Sequence, residues 1–382
     1  LPNGKPVVVN ADGTVSVVAG TAQELGSEVL FNNSNSFYIS SAFDPDNSKI
    51  VIAYRDDRGG TYYGTAVVGT ISGTSVSFGT PVVFKATTVV TYISVCYDTN
   101  SNKFVIAYRD GSNSNYGTAI VGTVSGTGIS FGSAVVFESG SSYAISSVFD
   151  SSNNKVVICY SDFGNSSYGT AIVGTVSGTN ISFGTAVVFE SATSTDICAT
   201  FDSNANKVVI AYRDQGNSSY GTAIVGTVSG TGISFGSAAA YTSAATGGFQ
   251  ECLYNSDSNS VLIAPELAAS PYLTNAVVGT VSGTSISFGS SVPFPNSTSA
   301  SNFTQVTKIG YDPDLKQYLC VTNEYISSAY RGSVQIITIS GTTPVMGDVI
   351  VFSPDRIDNV GAGITYDTTA NKFLVSFSDR GN

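Results

Sequence analysis

A three-residue motif, Tyr-Arg-Asp, occurs as Tyr54-Arg55-Asp56, Tyr108-Arg109-Asp110 and Tyr212-Arg213-Asp214, with Tyr160-Ser161-Asp162 as a variant. Each copy leads into a Gly/Asn/Ser-rich loop that reaches a second tyrosine: Tyr63, Tyr116, Tyr168 or Tyr220. An aromatic face, a planar guanidinium and a carboxylate together suit a sugar, the ring covering its C–H surface and the polar groups bonding its hydroxyls. The same Arg and Asp would equally serve as salt bridges that tie neighbouring structural units together. The candidate ligand-binding residues are therefore Arg55, Asp56, Tyr63, Arg109, Asp110, Tyr116, Asp162, Tyr168, Arg213, Asp214 and Tyr220.

Other chemistry is restricted by what the sequence lacks. With no His, Ser-His-Asp and Cys-His arrangements and the common His-based zinc sites cannot be built. Five cysteines do not make an even disulfide framework. Cys159 and Cys320 fill a slot held elsewhere by Ala53, Ala107 and Ala211, and Cys96, Cys198 and Cys252 fall within one other strand type, each in a different copy, so all five read as core thiols. Asp44-Pro45-Asp46-Asn47-Ser48 starts like a calcium loop, but no bidentate Glu follows. It belongs to a series (Asp98, Asp150, Asp202, Asp367, each followed by a turn to Asn-Lys) that reads as Asx-type turns.

A carboxylate pair for glycoside hydrolysis is compatible with so many Asp residues. Their recurrence suits structure better than a single active site. A cluster of carboxylates on only one or two repeats, converging at the centre, would favour a hydrolase. The expectation from sequence is a non-enzymatic protein with no catalytic residue, metal or cofactor assigned.

The net charge of −11 and pI near 4.3 remove the basic footprint of a nucleic-acid binder and disfavour anionic membrane surfaces. No apolar run is long enough for a membrane-spanning helix. Charged residues make up 11% of the chain, against about 25% in an average soluble protein. A Ser/Thr/Asn/Gly surface of this kind points to an extracellular or virion-surface setting. The chain opens at Leu1 without Met, which reads as a processed product or part of a longer one.

These motifs sit in a repeat. Ile-Ser-Phe-Gly, with Val in its first copy, carries Phe78, Phe131, Phe183, Phe235 and Phe288 at steps of 52–53 residues. Repeats of that length build solenoids, propellers or arrays. The copy from Tyr92 to Phe137 reads as four short strands: 92–98, 103–110, 116–124 and 129–137, rich in β-branched and aromatic residues and separated by Gly/Asn/Asp/Ser turns. Four antiparallel strands per repeat make a propeller blade. The first strand, with small residues such as Ser146, Ser147, Cys198 and Ala199, suits the crowded position at the axis. The loops after the second strands, which carry the Tyr-Arg-Asp motif, then share a rim with the connections between blades.

Seven first strands end at Asp44, Asp98, Asp150, Asp202, Asn255, Asp312 and Asp367, but only six third and fourth strands follow them. Pro6 to Asn10 and Thr14 to Phe31 read as the missing pair. The expectation is a single all-β domain over 1–382, a seven-bladed β-propeller of four-stranded antiparallel blades. Residues 1–31 and 361–382 would share the closing blade. The fifth and sixth copies drift: Ala264-Pro265-Glu266-Leu267 replaces Ala-Tyr-Arg-Asp, and the step from Ser282 to Ser340 is longer than the rest.

The unit Gly-Thr-Ala-Ile-Val-Gly-Thr-Val-Ser-Gly-Thr-x-Ile-Ser-Phe-Gly (117–132, 169–184, 221–236) resembles repeats of marine bacteriophage fibre and virion structural proteins and of bacterial surface proteins, as does the opening Leu-Pro-Asn-Gly-Lys-Pro segment. The resemblance implies a surface or virion module for host attachment, with a cell-surface glycan or neighbouring structural subunits as partners. Alternatives are a structural building block and a propeller-type polysaccharide hydrolase. It carries over no catalytic residues, because it covers only the scaffold.

Overall fold

The second strands explain why the chain forms sheets that stack. In Lys103–Asp110 the five consecutive residues Phe104 to Tyr108 are all buried, as are Val156 to Tyr160 in Lys155–Asp162 and Val208 to Tyr212 in Lys207–Asp214. A strand that alternates has one wet face, whereas an unbroken apolar run has protein on both. The computed structural model describes residues 7–9, 15–17, 25–86, 89–268, 273–296, 302–327 and 329–379. These form antiparallel sheets and two single 3₁₀ turns, Phe163–Asn165 and Gln215–Asn217. No helix among the described residues is long and apolar enough to cross a membrane.

Each of the first six sheets runs inner, second, third and outer strand from the axis outwards. In sheet two, Val90–Asp98 pairs with Lys103–Asp110, which pairs with Tyr116–Ser125. The outer position differs from the single strand read at 129–137. Gly128–Phe131 pairs with one end of the third strand, the chain breaks, and Val135–Asp150 pairs with the other end before crossing into sheet three as its inner strand. Val187–Asp202 and Ala239–Asn255 cross between sheets in the same way. The break has a steric cause. A Cβ at Gly132 would lie 1.9 Å from the Thr179 carbonyl oxygen of the next sheet's turn, and Gly79, Gly184, Gly236 and Gly289 make the same approach. The Gly of Ile-Ser-Phe-Gly is thus the point where consecutive sheets touch.

Inner strands lie beside one another in chain order. The last, Ile357–Asp367, lies against both Asn302–Asp312 and the first, Asn35–Asp44. Small side chains allow this crowding and also bond across it. Ser40 Oγ accepts the Val95 N–H (3.0 Å), Ser94 Oγ that of Ser147 (2.9 Å), and Ser146 Oγ that of Ala199 (3.0 Å). The fold is all-β and propeller-like.

The core lies between sheets. Phe84, Phe137 and Phe189 on outer strands pack against Tyr108, Tyr160 and Tyr212 of the following sheet, with ring centroids 5.2–5.3 Å apart. The hydroxyls of Tyr160 and Tyr212 donate to Glu138 (2.9 Å) and Glu190 (3.2 Å) of the preceding sheet. All five cysteines are buried and unbridged, and burial pushes the Cys96 thiol up to about 12, so it packs rather than reacts.

The turn series matches the sequence reading at Asp44, Asp98, Asp150, Asp202 and Asp367 and extends to Asn255 and Asp312. Asp44, Asp98, Asp150, Asp202, Asn255, Asp312 and Asp367 each accept the backbone N–H groups two and three residues on. Asp98→Ala strips the acceptor from Asn100 and Ser101 and is expected to cost about 0.5–2 kcal/mol, the range of a capping side chain. Urea unfolding of the variant measures this.

Candidate functional site

Four inner strands bulge at the same level. Pairing with the second strand slips by one residue between Phe37 and Ser40, Thr91 and Ser94, Tyr143 and Ser146, and Thr195 and Cys198. Each bulge holds one residue at positive φ: Tyr38 (52°), Tyr92 (52°), Ala144 (47°) and Asp196 (52°). Left-handed backbone costs a non-glycine residue about 1–2 kcal/mol and collects at functional sites. All four residues line one cavity of about 190 Å³ at the axis, together with Gln250, Glu251, Thr307 and Lys308.

The polar chemistry of the cavity sits on one side. Burial pushes the Asp196 carboxyl above the ordinary aspartate range, against the hydrogen bond from Thr195 Oγ1 (3.0 Å) and the positive charge of Arg213. Glu251 is ion-paired with Lys308 of the next inner strand. Burial also raises the carboxyl of Glu266, where the hydrogen bond from Gln305 pulls the other way and the charge of Asp196 adds to the rise. Gln250 is committed to structure: its amide donates to the Asp196 carbonyl (2.6 Å) and its oxygen accepts from Tyr241. The opposite side is aromatic, with Tyr38 and Tyr92 at 5.4 Å between ring centroids. Among the described residues no group of three Cys, Asp or Glu side chains is placed to hold a metal ion.

The Tyr-Arg-Asp residues fall into distinct places. Their rim is the expected one, since Gly111 N–H bonds the Val89 carbonyl and Ser142 N–H the Asn115 carbonyl, joining the two loop types. Arg55 lies over Phe37 (4.6 Å) and Tyr38 (5.2 Å) and bonds Asp57 (2.8 Å). Arg109 lies over Tyr143 (4.3 Å) and Tyr92 (6.0 Å). Arg213 faces Asp196 at longer range. Each arginine thus backs a cavity residue of its own inner strand, and where that residue is Ala144 the second strand has Ser161.

The aspartates are buried and engaged. Asp56 accepts from Asn32 (3.1 Å) and Arg58, and Asp110 from Lys85 of the preceding sheet (2.6 Å) and Ser112. Asp162 and Asp214 cap the 3₁₀ turns by accepting from Asn165 (3.2 Å) and Asn217 (3.1 Å). Tyr63, Tyr116, Tyr168 and Tyr220 are half-buried on the third strands and do not line the cavity.

Asp196, Glu251 and Lys308 were not singled out by sequence reasoning, although a signal existed. The isoleucines Ile39, Ile93, Ile145 and Ile197 repeat faithfully, while the residue before each reads Tyr, Tyr, Ala, Asp. The slot of Ser40, Ser94, Ser146 and Cys198 becomes Glu251 and then Lys308. Positions that vary inside a strict repeat and face the axis mark the site.

No protein-family model and no curated protein sequence matches the chain. Solved structures do. A periplasmic gluconolactonase of Pseudomonas aeruginosa is 12% identical with a TM-score of 0.60, covering 96% of this chain and 93% of that one. A structural-genomics protein of Lactobacillus plantarum is 12% identical with a TM-score of 0.59, over 98% and 94%. A putative 6-phosphogluconolactonase of Bacteroides uniformis is 14% identical with a TM-score of 0.57, over 90% of each chain.

At such identities the likeness is one of fold. It lends no support to the resemblance to phage-fibre and surface repeats. It does correct the expectation of a non-enzymatic protein, because the fold is shared with proteins named as enzymes. That expectation rested on the Asp residues that recur in nearly every repeat. The carboxylates and cation of the cavity lie instead where the repeat is broken.

Proposed function

We propose that the chain is a hydrolase acting on a carbohydrate-derived substrate in the axial cavity. The observation that carries this reading is the convergence of Asp196, Glu251 and Lys308 on three consecutive inner strands, while the three preceding strands place Tyr38, Tyr92 and Ala144 at the position of Asp196. The names of the structural neighbours favour a sugar lactone as the substrate class.

Water adds to the lactone carbonyl and the ring C–O bond breaks. Asp196 as a carboxylate takes the proton of the attacking water and returns it to the departing ring oxygen, which its raised pKa favours. The ammonium of Lys308, oriented by Glu251, faces the negative charge that develops on the carbonyl oxygen. Tyr38 and Tyr92 offer ring surface to the sugar.

The same proposal gives the ring seven blades, with the N-terminal segment in the outer position of the last. Three contacts support this. Gly26 meets the Thr74 carbonyl as Gly79 meets that of Thr127. Phe31 packs on Tyr54 (5.1 Å) and Phe78 (6.0 Å) as Phe84 packs on Tyr108 and Phe131. Asn32 bonds Asp56 as Lys85 bonds Asp110. Val7–Val9 and Val15–Val17 pair with each other, and most of residues 1–24 lie outside the described residues. An extracellular or particle-surface setting with a glycan as ligand is part of the reading; low charge content and the periplasmic neighbour favour it.

The test is a hydrolysis screen over γ- and δ-aldonolactones and p-nitrophenyl glycosides. Turnover above buffer is expected on a lactone. Lys308→Met combined with Glu251→Gln, which leaves no charge alone, should lower it by about 10²–10³-fold. No turnover on any substrate, or turnover indifferent to the double change, overturns the proposal.

A further inference from the structure

Sheet three departs from its neighbours at four positions that lie side by side. Tyr143 stands where sheets two and four have Thr91 and Thr195, and Ala144 where they have Tyr92 and Asp196. Ser161 replaces Arg109 and Arg213, and Phe163 takes the place of Gly111 and Gln215. Two of these changes remove bulk next to the cavity and two add aromatic surface.

The Tyr143 ring lies 5.6 Å from Tyr92, at the cavity, and 5.6 Å from Phe163, at the rim. Phe163 is 61% exposed in a 3₁₀ turn with no buried residue, so packing does not account for it.

Cations flank this slot. Arg109 enters from sheet two with its guanidinium over Tyr143, and Arg213 stands on the sheet-four side. Arg55, Arg58 and Arg331 each hold a carboxylate within 3 Å, whereas the Nε–H groups of Arg109 and Arg213, like that of Arg356 over Tyr330 elsewhere, are buried without a hydrogen-bond partner among the described residues. A ring face attracts a guanidinium but does not neutralise it. Arg109 makes no ion pair among the described residues, and Arg213 has only the longer-range attraction of Asp196. The chemistry that half-buried guanidiniums of this kind suit is a planar anion.

We propose that sheet three carries a subsite for an acidic sugar unit, a uronate, of the substrate. The sugar ring lies on Tyr143 and Phe163 in the space left by Ala144 and Ser161, and its carboxylate is drawn to Arg109, with Arg213 on the far side. The inference rests on the hydrolase reading for the carbohydrate nature of the substrate, and it names an acidic oligosaccharide that reaches from the cavity to the rim.

Calorimetric titration with a galacturonate trisaccharide and with the neutral galactose trisaccharide tests it. The acidic probe should bind tighter by about tenfold or more, with the preference shrinking as salt is raised. Arg109→Gln should abolish the preference. Ala144→Tyr with Ser161→Arg fills the slot with the pair that sheets one and two already hold at the same backbone angles, so the variant is expected to fold and to lose the acidic probe.

Equal affinity for the two probes overturns the subsite, as does wild-type binding by either variant. Asp196→Asn separates this from the chemistry. It should bind the acidic probe at least as tightly as the wild type, so turnover that is absent in the wild type or unchanged by Asp196→Asn, with the preference for the acidic probe retained, counts against the hydrolase alone.

Discussion

Tyr212→Ala destabilises the protein by about 3–5 kcal/mol, the cost of deleting a large aromatic side chain from a closed core. Tyr212 is 0% exposed, packs 5.2 Å from the Phe189 ring of the preceding sheet, and donates its hydroxyl to Glu190. Truncation opens a cavity between two sheets and leaves Glu190 without its donor. Burial and the charge of Glu190 both raise this phenol, so it stays protonated and keeps donating throughout the physiological range. Leu315, 58% exposed in a turn, serves as the control. Leu315→Ala should stay within about 0.5 kcal/mol of wild type, as surface substitutions do. Urea midpoints of the two variants at constant slope decide the matter, and equal midpoints would mean that the sheets do not depend on these inter-sheet aromatic pairs.

Asp196→Asn lowers turnover by about 10²–10⁴-fold, the usual contribution of a positioned acid–base group. The same change makes the protein more stable as pH rises. Burial lifts the Asp196 carboxyl above its ordinary value of 3.8, so the folded protein holds this proton to higher pH than the unfolded chain does. The stability contributed is fully present below the unfolded pKa and is lost as pH climbs through the raised one. Asn carries no such loss and tolerates the positive φ at this position. The stability gap in favour of the variant should therefore be small near pH 4 and widen towards neutrality, as measured by thermal unfolding across that range. A gap that narrows with pH would mean that Asp196 is held as a stabilised carboxylate, a different environment from the one described. The widening gap is the stability given up to keep Asp196 at the cavity, the usual trade at a catalytic site.

The sequence was most legible where the chain repeats itself. Identical positions in successive sheets meet identical surroundings, so the Asx turns, the small inner-strand residues and the slot of Ala53, Ala107, Cys159 and Ala211 could be read from one copy and found in the others. Cys320, by contrast, lies one residue off that slot, which Val321 fills opposite Lys308. Ile-Ser-Phe-Gly was visible as a period, but its reason was not. The approach of Gly132 to Thr179 joins one sheet to the next, and no spacing within a copy expresses it. The same blindness split the outer strand, because pairing with two ends of one third strand is a long-range fact.

The candidate site was harder still. Tyr-Arg-Asp drew attention because it recurs, and recurrence selects for shared structural work. Asp110 holds Lys85 of the preceding sheet, and Asp214 caps its own loop. Arg109 and Arg213 lie nearer the cavity, but only the contacts of Arg109 with Tyr143 and Tyr92 and the longer-range pull of Arg213 on Asp196 reveal it. Asp196, Glu251 and Lys308 come from copies separated by more than fifty residues and meet only because the inner strands converge on one axis.

The most direct test of the axial cavity as a hydrolytic site is a pH-stat assay of wild type and Asp196→Asn, side by side, on one aldonolactone at equal enzyme concentration. Acid release well above the spontaneous rate by the wild type, falling to near that rate in a folded Asp196→Asn, is the predicted result. Wild-type release at the spontaneous rate, or equal release by both proteins, would contradict it.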